Sequence, residues 1–218
     1  TLGDMIIGNG SIVGDIGTHS SKGIYFPGNT NVTVKGDIFV SEANSDLIKG
    51  LGLREGPKVK DIQNYVYPTM PKFPTIPQNF TRLADESYAN YTFIRDGKLL
   101  INSWQMDGAV WELKEDAYFK EILLTNNNTF TIDIGDTDRS IVVDKINLNG
   151  HLKIKGQGRL PIYVTDEIVS AQGSIGEVDK INQLDIFYAG PKQLTVSNNI
   201  EIYGSIFAKE ADLYVGGG

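Results

Sequence analysis

The residues best suited to chemistry in this 218-residue chain are three aspartates within one short segment, Asp133, Asp136 and Asp138. Carboxylate oxygens are the ligands that Ca²⁺ prefers. Clustered carboxylates on a parallel β-helix would suit a calcium-dependent polysaccharide lyase or another carbohydrate-active enzyme. A solvated turn uses the same residue types, because Asp and Gly satisfy backbone groups there. Both interpretations stay open at the level of sequence.

Other catalytic arrangements have few residues to draw on. The chain has no cysteine, which excludes thiolate nucleophiles and thiolate metal sites, and its two histidines, His19 and His151, lie far apart in sequence. The glycines of the N-terminal part are not followed by a helical pattern that could receive a phosphate. The net charge of -7 argues against nucleic acid as a partner. We therefore expect neither a catalytic centre nor a cofactor.

Internal similarity between the two ends of the chain is the main structural signal. Residues 31–43 and 199–211 share the pattern Asn, β-branched, any, β-branched, any, Gly, any, Ile, Phe, and looser copies lie at residues 10–16 and 152–158. Alternation places the β-branched side chains on one side of a short strand, and the glycine permits a corner. Units of about 20 to 30 residues then predict an all-β, right-handed parallel β-helix in which the two copies are successive windings. A β-sandwich is the alternative, because it also has short strands between turns.

The middle of the chain interrupts this repeat. Four prolines stand three residues apart between Pro68 and Pro77, a spacing that favours an extended polyproline conformation. Such a segment is a stiff crossing element or a ligand for a proline-reading domain.

Short strands are expected again after the prolines. Asp96-Gly97 is a good hairpin turn, and three strands are expected at residues 91–94, 98–101 and 109–113, although residues 112–123 could instead form one short helix. We therefore predict three parts: first coils at residues 1–49, an inserted α+β segment at 50–125 and main coils at 126–218.

Four aromatic residues of the inserted segment are the candidate binding residues: Trp104, Trp111, Tyr88 and Tyr91. Exposed aromatic rings stack on glycans or on partner proteins, and loops on a rigid scaffold often carry recognition. The alternative for the two tryptophans is that they close the end of the hydrophobic core.

The C-terminal part of the sequence resembles a known family. Three segments carry the resemblance, namely GQGRLPIYV at 156–164, QLDIFYAG at 183–190 and VSNNIEIYGSIFAKEA at 196–211. They are similar to the C-terminal β-helical domain of PilX-like pilus-assembly proteins, which accompany type IV pili. Lys209-Glu210 replaces the Pro-Asn usual in that family. The proline-rich segment also has a counterpart there, so that the resemblance runs from about Pro68 to Val215.

This resemblance implies a non-enzymatic structural or adhesive protein of the bacterial cell surface. It would be a minor or tip subunit, or an assembly factor, of a type IV pilus, and its location would be extracellular. Other pilin subunits and a surface glycan or protein ligand are the implied partners. The family's N-terminal hydrophobic helix, which this sequence lacks, would provide the link to a membrane. The polysaccharide lyase is the alternative function.

Overall fold

The computed structural model describes residues 5–12, 16–18, 20–54, 57–64, 75–76, 80–88, 90–196, 199–208 and 211–215. These residues are almost entirely β-structure and form a β-solenoid of about eight turns, which confirms the predicted fold class. In chain order the strands are β1 (Met5–Ile7), β2 (Gly10–Ile12), β3 (Ile16–Gly17), β4 (Ile24–Tyr25), β5 (Val32–Val34), β6 (Ile38–Val40), β7 (Ile48–Lys49), β8 (Val59–Asp61), β9 (Thr81–Arg82), β10 (Glu86–Tyr88), β11 (Tyr91–Arg95), β12 (Lys98–Ile101), β13 (Ala109–Glu112), β14 (Ala117–Gly135), β15 (Ile141–Gly156), β16 (Leu160–Ile175), β17 (Leu184–Tyr188), β18 (Leu194–Val196), β19 (Ile200–Ile202), β20 (Ser205–Ala208) and β21 (Leu213–Val215).

Helical structure in the described residues is limited to three-residue 3-10 turns, at Ser41–Ala43, Ser45–Leu47, Ile62–Asn64 and Trp104–Met106. The possible helix at residues 112–123 is wrong, because β13 ends at Glu112 and β14 begins at Ala117. Within the described residues, no helix has the length and apolar character needed to cross a membrane.

The chain divides into two compact units. Unit 1 comprises Thr1–Lys72, Gln193–Asn198 and Glu210–Gly218. It contains three parallel sheets, ordered β18-β21-β1-β4-β7, β2-β5 and β3-β6-β8. Alternation fills its core: Val32 and Val34 of β5 are buried while Thr33 between them is half-buried. The buried residues of this core are Ile7, Ile24, Phe26, Val32, Val34, Ile38 and Val40.

Unit 2 comprises Phe73–Lys192 and Asn199–Lys209. Its strands β14, β15 and β16 are long, and β14 pairs in parallel with β15 and β15 with β16. The register of β14 against β15 shifts between Leu124 and Asn128, where Asn126 and Asn127 have positive φ. The same position in successive coils is held by Ala117, Ile141, Ile162, Ile186 and Ile206, so that one coil takes 20 to 24 residues. The parallel pairing of these coil strands rules out the β-sandwich, whose strands pair antiparallel.

The two copies of the sequence repeat are strand-corner-strand units, β5-β6 and β19-β20. They are not successive windings as predicted. Strands β5 and β6 pair with β2, β3 and β8, whereas β19 and β20 pair with β16 and β17. The repeat therefore marks equivalent positions in coils of different units, because every coil needs the same alternation and the same open corner.

The predicted insertion at residues 50–125 contributes to both units. Its strand β8 pairs with β6 in unit 1, while β12 and β13 pair in parallel with β14 in unit 2. The part that departs from the coil is the antiparallel hairpin β10-β11. A second hairpin contact joins β11 to β12 through the predicted Asp96-Gly97 turn, where both residues have positive φ. The proline-rich segment lies outside the described residues except for Thr75 and Ile76.

Candidate functional site

The three aspartates proposed as calcium ligands are engaged separately. Asp133 forms an ion pair with Lys155 at 2.7 Å and accepts a hydrogen bond from the Gly135 amide at 3.0 Å. Both contacts favour the charged carboxylate, and the bond from Lys155 is the main reason that the pKa of Asp133 lies below its ordinary value. Asp138 accepts from the Arg159 amide at 2.8 Å, and Asp136 is exposed.

Metal-binding geometry is accordingly missing from the described part of the chain, where no group of three or more His, Asp or Glu side chains could hold an ion. Asp133 binds Lys155 of the neighbouring coil and the Gly135 amide, and Asp138 binds the Arg159 amide, so that these two aspartates act as turn residues. The turn interpretation thus explains their positions, because a carboxylate at a corner satisfies amides that the strands leave unpaired.

His151 meets a serine, which the sequence did not indicate. Its Nδ1 atom lies 2.9 Å from Oγ of Ser174, the residue paired with it on the next coil. The next residue in this row is Glu201, whose Oε2 accepts a hydrogen bond from the Tyr203 hydroxyl at 2.7 Å. The carboxylate is therefore bound by Tyr203, and the His151–Ser174 contact is a cross-strand hydrogen bond between coils. His19 lies outside the described residues.

A ladder of alternating charge runs along the outside of unit 2. Lys98, Glu121, Lys145 and Glu167 occupy one position on four successive coils. Lys98 pairs with Glu121 at 2.9 Å and Lys145 with Glu167 at 3.1 Å. Lys192 then pairs with Glu167 at 3.2 Å, and the hydrogen bonds from Lys145 and Lys192 hold the pKa of Glu167 below its ordinary value. We call these five residues the charge ladder.

A second outward row is apolar. Tyr118, Val142, Tyr163, Phe187 and Phe207 share one register position, between inward residues such as Ile162 and Val164. The rings of Tyr163 and Phe187, and those of Phe187 and Phe207, are stacked with centroids 5.1 Å apart. We call these five residues the aromatic row.

The aromatic row is covered although it faces away from the coil interior. Val142, Tyr163 and Phe187 are buried, and Ile76 and Phe80 pack against them. Burial is also the main reason that the pKa of Tyr163 lies above its ordinary value, with the charges of Asp116 and Asp185 adding to it. Ile76 and Phe80 therefore cover this row from outside the coil. One sequence signal could have revealed this row, namely the aromatic centre repeated in Ile162-Tyr163-Val164, Ile186-Phe187-Tyr188 and Ile206-Phe207-Ala208.

The four predicted binding aromatics have different environments. Trp111 is 7% exposed, packs edge-on against Phe93 and Phe119, and donates its Nε1 hydrogen to Glu86 at 2.9 Å. The ring of Trp111 is therefore part of the hydrophobic core, which leaves little of it accessible to a ligand. This was the core alternative that the sequence had left open.

Trp104, by contrast, is 73% exposed. It begins the 3-10 turn Trp104–Met106, which is anchored by the buried side chain of Met106. Tyr88 is 46% exposed and pairs with Tyr91, which is half-buried, across the hairpin β10-β11. These three residues stay candidates for contact with a ligand.

The turn that carries Trp104 is rigidly braced by the next coil. Asn126 and Asn128 donate side-chain hydrogen bonds to the carbonyls of Asn102 and Ser103, at 3.0 and 2.9 Å. Asp107 accepts from the Thr129 amide at 2.7 Å. An exposed tryptophan on a braced turn is a fixed platform, since little conformational freedom is left to lose on binding.

Comparison with known proteins identifies one family. The family model described as "Domain of unknown function (DUF7305)" matches residues 79–218, which is more than half of the chain. Searches of curated proteins and of solved structures gave no match.

Proposed function

Since the chain belongs to the DUF7305 family, whose description names no activity, we propose its function from its architecture and its sequence resemblance. The architecture supports a non-enzymatic structural protein, and the resemblance supports a role at the bacterial cell surface, as a minor or tip subunit or an assembly factor of a type IV pilus. In this role the solenoid is a stiff outer part that displays a binding surface. Its partners are other pilin subunits and a glycan or protein on the surface that is contacted.

The observation that carries this proposal is the way in which outward side chains bind one another from coil to coil. The charge ladder links successive coils through ion pairs, and the aromatic row links them through stacked rings. Exposed ion pairs contribute little individually, about 0–1 kcal/mol. The ion pairs of Lys98 with Glu121, and of Lys145 and Lys192 with Glu167, instead favour one register of the coils that they join, which suits a structural surface element.

The use of the acidic residues supports a structural role in preference to the lyase. Glu121 and Glu167 belong to the charge ladder, while Asp133 and Asp185 pair with Lys155 and Arg159. A lyase needs carboxylates gathered around an ion or beside a base. The link to pili rests on the resemblance of residues 156–164, 183–190 and 196–211 to the PilX-like domain.

Deletion and complementation of the gene in its native host tests the proposal. We expect the complete gene product to be accessible to antibodies on intact cells, and its deletion to reduce the number of surface filaments or the adherence of the cells. Complementation should restore both. A product found only inside cells, with filament number and adherence unchanged on deletion, would overturn the proposal. A calcium-dependent rise in unsaturated uronate from polygalacturonate would favour the lyase.

A further inference from the structure

An uncharged strip runs along one corner of unit 2. It consists of the turns at residues 102–105, 125–128, 147–150 and 170–173, which follow one another on four successive coils. These sixteen residues include no Asp, Glu, Lys or Arg, although such residues make up 22% of the chain. Six are asparagine and two are glutamine. We call this surface the amide strip.

The amide strip is continuous because its turns stack closely. Gly150 lies over Asn128, and Gly173 lies over Gly150 with a φ of +121°. A Cβ atom on Gly173 would collide with the Gly150 carbonyl oxygen, so side chains here would push the coils apart. With adjacent strands about 4.8 Å apart, four stacked turns extend over about 14 Å. The strip is therefore a narrow track rather than a pocket.

Hydrogen-bonding groups are available along this track. Asn127 and Gln172 are exposed, and each amide side chain offers both donors and an acceptor. In the middle, the side-chain oxygen of Asn149 is buried and has no hydrogen-bond partner among the described residues. An unpaired buried acceptor costs about 1–3 kcal/mol.

Trp104 stands at one end of the amide strip. Its exposed ring offers a flat apolar face of the kind that stacks on the C–H face of a sugar, and its turn is fixed by Asn126 and Asn128 of the neighbouring coil. An aromatic platform followed by paired donors and acceptors fits a chain of hydroxyl groups. The lack of charge disfavours uronic acids, sulfated glycans and peptides rich in charge, because these would lose hydration without gaining an ionic partner.

We propose that the amide strip, with Trp104 at its end, binds a neutral polysaccharide that lies across the coils. This inference names the ligand class for the display role proposed above and rests on that role for its biological meaning. Binding itself is a property of the purified chain, and its test does not depend on where the protein is located.

The test measures retention of the purified 218-residue chain on neutral and charged polysaccharides. Insoluble cellulose, chitin and starch, with soluble mannan and dextran as competitors, serve as neutral probes, and polygalacturonate serves as the acidic one. We expect saturable binding to at least one neutral probe and none to polygalacturonate. Retention on none of the neutral probes, or tighter binding of polygalacturonate, would overturn the proposal.

Variants separate the strip from a lone aromatic contact. Trp104→Ala should weaken binding by at least about 10-fold, as expected for a central aromatic contact. Gln172→Ala, three coils away, should weaken it by about 3-fold through a lost hydrogen bond. Tyr25→Ala removes an exposed aromatic ring from unit 1 and is the matched control, with unchanged binding. Equal binding by Trp104→Ala and the parent chain would contradict the inference.

Tryptophan fluorescence gives a second readout. The chain has two tryptophans, and only Trp104 is exposed. A bound neutral polysaccharide should protect part of the emission from acrylamide quenching in the parent chain and leave the quenching of Trp104→Ala unchanged. Unchanged acrylamide quenching of the parent chain at a polysaccharide concentration that saturates binding would place the contact elsewhere and refute the assignment.

Discussion

Phe187→Ala tests whether the aromatic row is a buried core on the outside of the coil. Phe187 is 8% exposed and stacks between Tyr163 and Phe207, with both pairs of ring centroids 5.1 Å apart. Truncation of a buried phenylalanine to alanine costs about 3–5 kcal/mol. Of this loss, each stacked ring pair accounts for about 0.5–1.5 kcal/mol in addition to the energy of burying apolar area. Truncation of an outward residue without such cover would instead change the free energy of unfolding by no more than about 0.5 kcal/mol.

The expected loss therefore depends on the cover that Ile76 and Phe80 provide. We expect Phe187→Ala to lower the free energy of unfolding by about 3–5 kcal/mol. Phe207→Ala should cost less, because Phe207 is half-buried and stacks on one side only. Combining Phe187→Ala with Phe80→Ala should cost less than the sum of the single changes, by about 0.5–3 kcal/mol, since the two residues belong to one cluster.

Urea unfolding followed by fluorescence measures these losses. In a Trp104→Phe background the buried Trp111 is the one tryptophan left, and it reports on the core of unit 2. Agreement between this signal and far-ultraviolet circular dichroism is needed for a two-state treatment. A loss below about 1 kcal/mol for Phe187→Ala, or strict additivity with Phe80→Ala, would show that the row is not covered and refute the reasoning.

Three further predictions concern separate features. Gly173→Ala should lower the melting temperature, because the positive φ of residue 173 and the nearby carbonyl of Gly150 together impose strain of about 1–3 kcal/mol or more on an alanine there. An unchanged melting temperature would contradict the close stacking of Gly173 on Gly150. Glu167→Gln should matter only where the carboxylate is charged. Since its folded pKa is lowered from 4.5, its stabilising effect is present above pH 4.5 and is lost as the pH falls through the folded pKa. The stability curves of parent and variant should therefore converge in acid, and parallel curves would refute this. Glu86→Ala should lower the free energy of unfolding by about 1–3 kcal/mol, because it leaves the Trp111 Nε1 hydrogen unpaired. The change should also shift the fluorescence emission of Trp111. Identical spectra and stability of the variant and the parent chain would count against that hydrogen bond.

The strands were predictable because their information is local. Alternation in Val32-Thr33-Val34 and Ile200-Glu201-Ile202 determines which side chains enter the core, and β12 falls at the predicted residues 98–101. Asp96-Gly97 was predictable for the same reason, since a tight turn needs positive φ at both residues and these types tolerate it. The short helix at residues 112–123 was the wrong alternative, because pairing with neighbouring coils outweighs weak local preferences.

The order of coils was not predictable from these patterns. In unit 1, β1 lies between β21 and β4, with Met5 paired to Leu213 on one side and to Ile24 on the other. A pairing between residues so distant in sequence leaves no local mark, because each strand has the same alternation. The cover of the aromatic row was hidden for the same reason. Alternation identifies Tyr163 and Phe187 as outward-facing, but it does not show that Ile76 and Phe80 pack over them.

The three outward rows of unit 2 differ in whether their side chains already have partners within the protein, and this difference identifies the candidate site. The charge ladder pairs its own cations with its own anions, and the aromatic row is covered by Ile76 and Phe80. The charged groups of the ladder are therefore already paired, and most of the apolar surface of the aromatic row is already buried. The amide strip differs, because Asn127 and Gln172 are exposed and the ring of Trp104 is directed into water on a braced turn. Exposed aromatic surface and exposed amides both make favourable contacts with a ligand of hydroxyl and C–H groups, so this uncharged corner is the outward surface of unit 2 best suited to bind a neutral polysaccharide.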